Sequence, residues 1–202
     1  MINFSDVMKK FEEYSMASNQ SRNKDKHLSE VAICGYKYRD RIDSGKEIPF
    51  NLNYNIGNAF ENIIIYQLKK LANINSQYVT HYDDFIGHLD AYDVDEKIVY
   101  ELKTTMSYYD GTDIYLRQLK AYMIATNAHR GILWIYKTLK KEQVEIIIDE
   151  IKDEDILNLH KNIKAFRENT YVEGIENSLC KFCDNFVCPA NKSKSKSIEE
   201  LK

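Results

Sequence analysis

Apolar residues recur along this chain with two periods, and the switches between them mark out its elements. Residues 5–16 carry a helical pattern, with Ser5 as N-cap and Val7, Met8, Phe11 and Tyr14 on one face. Residues 18–26 are polar and read as a loop. Ser29 then caps a short helix through Val31, Ile33 and Cys34, and Gly45 and Pro49 break the segment after it. From Ile56, the residues Phe60, Ile63, Ile64, Leu68 and Leu71 return at helical spacing and predict an amphipathic helix. Alternation follows: residues 78–82, 85–92 and 97–104 read as strands, the last two joined by the acidic turn Asp93-Val94-Asp95-Glu96. A helix over 114–126, a strand pair over 131–137 and 144–148, and a long helix over 153–170 complete the pattern. Trp134, in an apolar strand, reads as core. This order predicts an α/β core with a central mixed sheet flanked by helices.

The bulk numbers set limits without choosing a function. A chain of 202 residues, 44% hydrophobic and 29% charged, suits one domain with a sizeable core. No apolar run approaches the roughly 20 residues that span a bilayer, and no basic-then-apolar leader opens the chain, so the expectation is a cytoplasmic protein with no membrane partner. A net charge of −3 means that any nucleic-acid binding relies on a local basic face. Residues 193–202 read as a disordered tail.

Two constellations carry chemistry. The first is Asp90 followed by Glu101-Leu102-Lys103. Side chains alternate along a strand, so Glu101 and Lys103 share a face, while Asp90 shares one with His88 and Ile86 on the preceding strand. Pairing those strands across the acidic turn brings the two carboxylates together. With the Leu102 carbonyl they suit a hard cation, Mg²⁺ or Mn²⁺, which would activate water against a phosphodiester while Lys103 orients that water. The plain alternative is an exposed strand face with an ordinary ion pair. On the next helix Gln118 and Tyr122 lie one turn apart on one face.

The second constellation is the full cysteine set: Cys34 alone, then Cys180-x2-Cys183-x4-Cys188-Pro189. In a reducing compartment four such thiols indicate metal rather than two disulfides. The one-plus-three split with a following proline matches an iron–sulfur site, and four thiolates also suit structural zinc. Beside Cys34, the run Tyr36-Lys37-Tyr38-Arg39 interleaves aromatics with cations. That arrangement serves single-strand binding if it lines a groove, and is merely an exposed helical face if it does not. Tyr108-Tyr109 offers a second such platform, and Lys140-Lys141 reads as a solvated turn. Of the five histidines only His88 lies on the carboxylate face, and it reads as a packing neighbour.

Gly57 to Glu61, Gly87-x-Leu89-Asp90, Glu101-x-Lys103, Gln118-x3-Tyr122 and the four cysteines together resemble the CRISPR-associated RecB-like exonucleases, the iron–sulfur branch of the PD-(D/E)xK nuclease superfamily. The likeness spans roughly residues 28–189. It implies a restriction-endonuclease-like core over residues 51–170 and an iron–sulfur-bound helical cap from 28–50 and 171–189, in one nuclease domain over 1–192. Asp90 and Glu101 would hold the metal, Lys103 would act at the attacking water, and Gln118 with Tyr122 would position the strand. The cysteines would ligate a [4Fe–4S] cluster. The implied activity is cleavage of single-stranded DNA, including exonuclease action from a 5′ end, and assembly as a homo-oligomer or in a DNA-processing complex stays open. One position departs from the family. Where it usually places a histidine, four residues after a helix-opening glycine, this chain has Glu61, an oxygen ligand or else a solvated first-turn acid. A non-catalytic, cluster- or zinc-containing DNA-binding module is the alternative reading.

Overall fold

The computed structural model describes residues 25–45, 52–105 and 111–192. The helical pattern of residues 5–16, Pro49, the Tyr108-Tyr109 pair and the tail at 193–202 lie outside them. The described elements are α1 (Leu28–Asp43), α2 (Leu52–Leu68), β1 (Ile74–Tyr82), β2 (Phe85–Asp93), β3 (Ile98–Thr105), α3 (Thr112–Thr126), β4 (Arg130–Lys137), β5 (Glu142–Ile148), α4 (Asp153–Glu168) and a short 3₁₀ turn (Ser178–Phe182).

The strands form one sheet in the order β1-β2-β3-β4-β5. Three contacts are antiparallel, and β3 runs parallel to β4. A parallel pair needs a long crossover, and α3 supplies it. The acidic turn forms as its residues dictate: the buried Asp93 carboxylate accepts from the amides of Asp95 (3.1 Å) and Glu96 (3.0 Å).

Two cores sandwich the sheet. Leu28, Val31, Phe85, Leu89, Val99, Leu119, Leu133, Leu159 and Phe166 join β2–β4 to α1, α3 and α4, while Ile65, Leu68, Ile74, Ala91 and Leu102 join the other face to α2. Strict alternation therefore slips along β2, since Leu89 and Tyr92 belong to one core and Ala91 to the other. The slip falls at Asp90, opposite Gln77, which has a left-handed φ of 52° between the paired Ser76–Ala91 and Tyr78–Leu89 positions.

Three helices differ from expectation. The first does not stop near Cys34; it runs on to Asp43 with a break at that residue. The second begins at Leu52, so Gly57 lies inside it rather than at its opening. A side chain at Gly57 would meet Thr104 Oγ1 at 2.7 Å, so glycine allows α2 to press against β3. Leu71 falls beyond the end of α2 and is 84% exposed, and Ile63 is also exposed. The burying face is Ile65 and Leu68, with Phe60 stacked on Tyr136 (4.9 Å). The last long helix ends at Glu168, with Asn169 in the left-handed capping conformation. Trp134 is only half-buried, because its indole donates to Glu145 on the neighbouring strand at 2.5 Å.

A charged network ties the β1–β2 turn to its neighbours. Asp84 pairs with Lys26, and Arg167 bridges Asp83 (2.6 Å) and Asp84 (2.8 Å). The hydrogen bonds from Lys26, then Arg167, push the Asp84 carboxyl down to about 2. A depressed carboxyl adds stability above its unfolded value near pH 4, and that contribution disappears as the pH falls toward 2. Urea titrations of Asp84→Asn should therefore show lower stability than wild type at pH 6. The two curves should draw together as the pH falls from about 4 and converge at about pH 2.

Candidate active site and cysteine site

Strands β2 and β3 pair only from Ala91 to Asp93 against Tyr100 to Ile98. Beyond those three pairs they part, and the segment before α1 enters beside β2, where Ile86 donates to the Lys26 carbonyl (2.7 Å) and His27 bridges Ile86. Asp90 stands at the point of divergence. Its Oδ2 accepts from the Leu102 amide (2.9 Å), a bond from side chain to backbone where the ladder has stopped. This bond brings the Asp90 carboxylate up to β3.

Glu101 and Lys103 project from β3 toward α3. Lys103 reaches both acids: its ammonium pairs with Glu101 Oε1 and lies 3.7 Å from Asp90 Oδ2. Glu101 is fully buried, and apart from that ion pair its two oxygens have no hydrogen-bond donor. Burial, then the charge of Asp90, pushes its carboxyl well above the usual range, while Lys103 pulls the other way. Burial alone would lower the Lys103 ammonium, but Glu101, Asp90 and Glu61 hold it well above its ordinary value. Glu61, one turn after Gly57, thus adds its field to the same site from α2.

The remaining predicted residues separate by burial. Gln118 donates to the Tyr122 hydroxyl (3.2 Å), and Ser29 on α1 bonds the same hydroxyl. Tyr122 is 2% exposed, and burial followed by the Glu101 charge raises its phenol. The Tyr122 ring is thus enclosed in the core, within the field of Glu101. His88 shares the Asp90 face, and the ring of His27 lies 5.9 Å from it. Sequence reasoning assigned nothing to His27, since a lone histidine before a helix carries no spacing signal.

The residues of the interleaved run next to Cys34 differ in placement. Tyr38 is 3% exposed, with its ring 5.1 Å from Phe166 and its hydroxyl bonded to His27 N (2.8 Å) and the Asp25 carbonyl (3.1 Å). It is a core residue and offers no stacking face. Arg39 is engaged by Asp43 (2.8 Å), and its guanidinium lies 5.7 Å from the centre of the Phe166 ring. Tyr36 is half-buried, and Lys37 lies 3.6 Å from Asp184.

Cys34 occupies the break in α1, at φ −162° and ψ 101°. None of the four cysteines is in a disulfide, and burial, then the fields of Cys180, Cys188 and Cys183, raise the Cys34 thiol to about 11 against a bond from Lys37. The segments around Cys34 and around residues 180–188 therefore lie close enough for their sulfurs to influence one another. Asparagines hold the C-terminal loop. Asn185 accepts from the Val187 and Cys188 amides (3.2 Å each), and Asn191 donates to the carbonyls of Cys183 (3.0 Å) and Asn185 (2.8 Å). The amide nitrogen of Asn185 is buried without a partner.

The donor sets can be tested against the groups they would hold. Among the described residues, no three His, Cys, Asp or Glu side chains lie close enough to share a single ion. Mg²⁺ usually keeps several waters and takes only one or two protein carboxylates, which Asp90 and Glu101 provide, with Glu101 oxygens lacking donors. Four thiolates on one zinc would crowd together, whereas a multinuclear cluster takes its thiolates at separate corners. The four thiols, close enough for the charges of the other three to raise the Cys34 thiol, are a donor set that either group accepts.

No family model and no curated protein matches the chain. Solved structures do. The crystal structure of SSO0001 has a TM-score of 0.58 at 20% identity, over 82% of this chain and 86% of that one. An alkaline exonuclease from Laribacter hongkongensis, LHK-Exo, has a TM-score of 0.57 at 14% identity, over 74% and 89%, and is also known in complex with dAMP. A phage-related exonuclease from Haemophilus somnus 129PT has a TM-score of 0.54 at 11% identity, over 72% and 92%. The chain shares its fold with these structures: a mixed five-stranded sheet with helices on both faces.

The break in α1 depends on a close contact that allows no side chain at Gly35. A Cβ there would meet the Asn162 carbonyl oxygen of α4 at 1.7 Å. Gly35→Ala should therefore cost at least about 3 kcal/mol, the upper end for overpacking, because backbone rather than a flexible side chain must yield. Equilibrium urea unfolding measures this.

Proposed function

We propose that this protein is a metal-dependent DNA nuclease acting on single-stranded DNA, with a structural [4Fe–4S] cluster. The observation that carries the reading is the placement of Asp90 and Glu101 against one ammonium where β2 and β3 part, within an exonuclease fold. A buried carboxylate pair with unsatisfied oxygens costs free energy unless cations serve it, so selection for binding explains its retention better than selection for stability.

Asp90 and Glu101 would hold Mg²⁺ or Mn²⁺, with the Leu102 carbonyl and Glu61 as further oxygen donors. A divalent ion held there supplies Lewis acidity toward the phosphodiester and acidifies water. Lys103, already between the carboxylates, positions the attacking water and offsets charge that develops on the phosphate. Tyr122, held by Gln118 and Ser29, keeps Glu101 in its rotamer. Gln118, half-exposed at the rim, and Tyr36 with Lys37 near Cys34 are the residues left for strand contact. That the LHK-Exo fold accommodates dAMP supports a nucleotide-sized site in this fold. The domain would comprise residues 1–192, with the segments around Cys34 and 171–189 as the cap on the core. The one-plus-three split of the cysteines along the chain supports an iron–sulfur cluster over zinc. No helix among the described residues is long and apolar enough to cross a membrane.

The test is cleavage of 5′- and 3′-labelled single- and double-stranded DNA with Mg²⁺, Mn²⁺ or a chelator. Metal stabilisation of several kcal/mol corresponds to about 10²–10³ in rate, so Glu101→Gln should lose at least that factor while keeping its fold and iron content. A Glu101→Gln enzyme that cleaves at the wild-type rate removes Glu101, and with it the mechanism.

A further inference from the structure

A broken helix leaves backbone groups without partners, and at Cys34 the missing partners come from two asparagines far away in sequence. Asn162 on α4 is 1% exposed; its Oδ1 accepts from the Gly35 amide (3.1 Å) and its Nδ2 donates to the Ala32 carbonyl (3.2 Å). Asn177 Nδ2 donates to the Ile33 carbonyl (2.8 Å). Residues 32, 33 and 35, the neighbours of the break, are thus each bonded by side chains from the last third of the chain.

Asn177 also organises the other cysteine segment. Its Oδ1 accepts from the Leu179 amide (2.9 Å), capping the 3₁₀ turn that carries Cys180, and its own amide approaches the Cys180 sulfur at 3.5 Å. One side chain therefore spans the two cysteine-bearing segments. Its amide nitrogen holds the strand of Cys34, and its oxygen holds that of Cys180.

We infer that Asn177, with Asn162 behind the break, is a positioning residue of the cysteine site: it fixes Cys34 opposite Cys180 by completing the hydrogen bonds of the interrupted helix. An unbroken α1 would need none of these bonds. Ala32, Ile33 and Gly35 would then be bonded within the helix, and Cys34 would take helical dihedrals unlike those it has. The inference rests on the reading that the four cysteines ligate one group, and it does not depend on the nuclease site.

Asp at 177 keeps an oxygen for the Leu179 amide but loses the donor to Ile33, so Asn177→Asp separates the two roles; Asn162→Asp does the same at Ala32. Two measurements on the full-length chain test the idea. The first is the rate at which a chelator strips iron from anaerobically purified protein. The second is the cross-linking yield between Cys34 and Cys180 by a short bifunctional thiol reagent in metal-free Cys183→Ser/Cys188→Ser protein, with thermal unfolding followed alongside. Both asparagine variants should lose iron about tenfold faster, the effect of one such bond, and lose most of the cross-link at temperatures where they remain folded. Unchanged iron loss and unchanged cross-linking in folded variants overturn the positioning role and leave the cluster reading intact. Wild-type protein without iron whose cross-link still falls in the variants overturns the cluster reading and leaves the positioning role intact. Should Asn162→Asp fail to fold, Asn177→Asp, at the surface end of the break, decides.

Discussion

A carboxylate removed entirely from water, with a second carboxylate beside it, is stable as a charge only if a cation lies between them. In this fold that constraint falls on Glu101, and Lys103 meets it by lying against Glu101 while staying 3.7 Å from Asp90. The surroundings follow from the need to bring three charged groups from two strands to one point. The strands must stay paired near the turn to fix register and then part to leave room, and the Asp90–Leu102 bond keeps the acid at the fork. The slipped alternation at Asp90 and the left-handed Gln77 opposite it are the local distortions that this divergence requires.

The sheet and the carboxylate site were legible because periodicity reports which face a side chain takes. Alternation over 85–92 and 97–104, together with an acidic turn, implied the hairpin, and the spacing from Asp90 to Glu101 followed from it. The order of helices and strands was enough for a mixed sheet, since a strand–helix–strand run over 97–137 implies one parallel contact. Burial depth was less accessible. Tyr36-Lys37-Tyr38-Arg39 has the composition of a binding surface, but at helical spacing Tyr38 faces the core and Arg39 falls beside Asp43 on the next turn. In the same way Gln118 and Tyr122 share a helix face, and nothing in their spacing says that the tyrosine end of that face is sealed by Ser29 and β2.

The asparagines were illegible for a different reason. A lone polar residue in a helix or loop carries no period, and its role appears only when the distant backbone it serves is known. Asn162 and Asn177 act on residues 32, 33 and 35, more than a hundred positions upstream. The continuation of α1 past Cys34 was hidden likewise: it depends on Gly35, whose lack of a side chain permits contact with the distant α4.

Helix α3 joins the two sites. Tyr122, bonded by Gln118, lies within the field of Glu101, while at the N-terminal end of the helix Asp113 accepts from the Ser178 amide (2.8 Å) and Arg117 donates to the carbonyls of Ile175 (3.0 Å) and Glu176 (2.5 Å). Helix α1 makes a second link, with Ser29 on the Tyr122 hydroxyl and Cys34 five residues later at its break. The segment leading into the 3₁₀ turn that carries Cys180 is therefore fastened to the elements that also enclose Glu101. These bonds run through side chains and carbonyls that are partly or wholly withdrawn from water, where an unmade hydrogen bond is costly. The cysteine segment has exposed Phe182, Phe186 and Val187 and little core of its own, so its order comes from those polar ties.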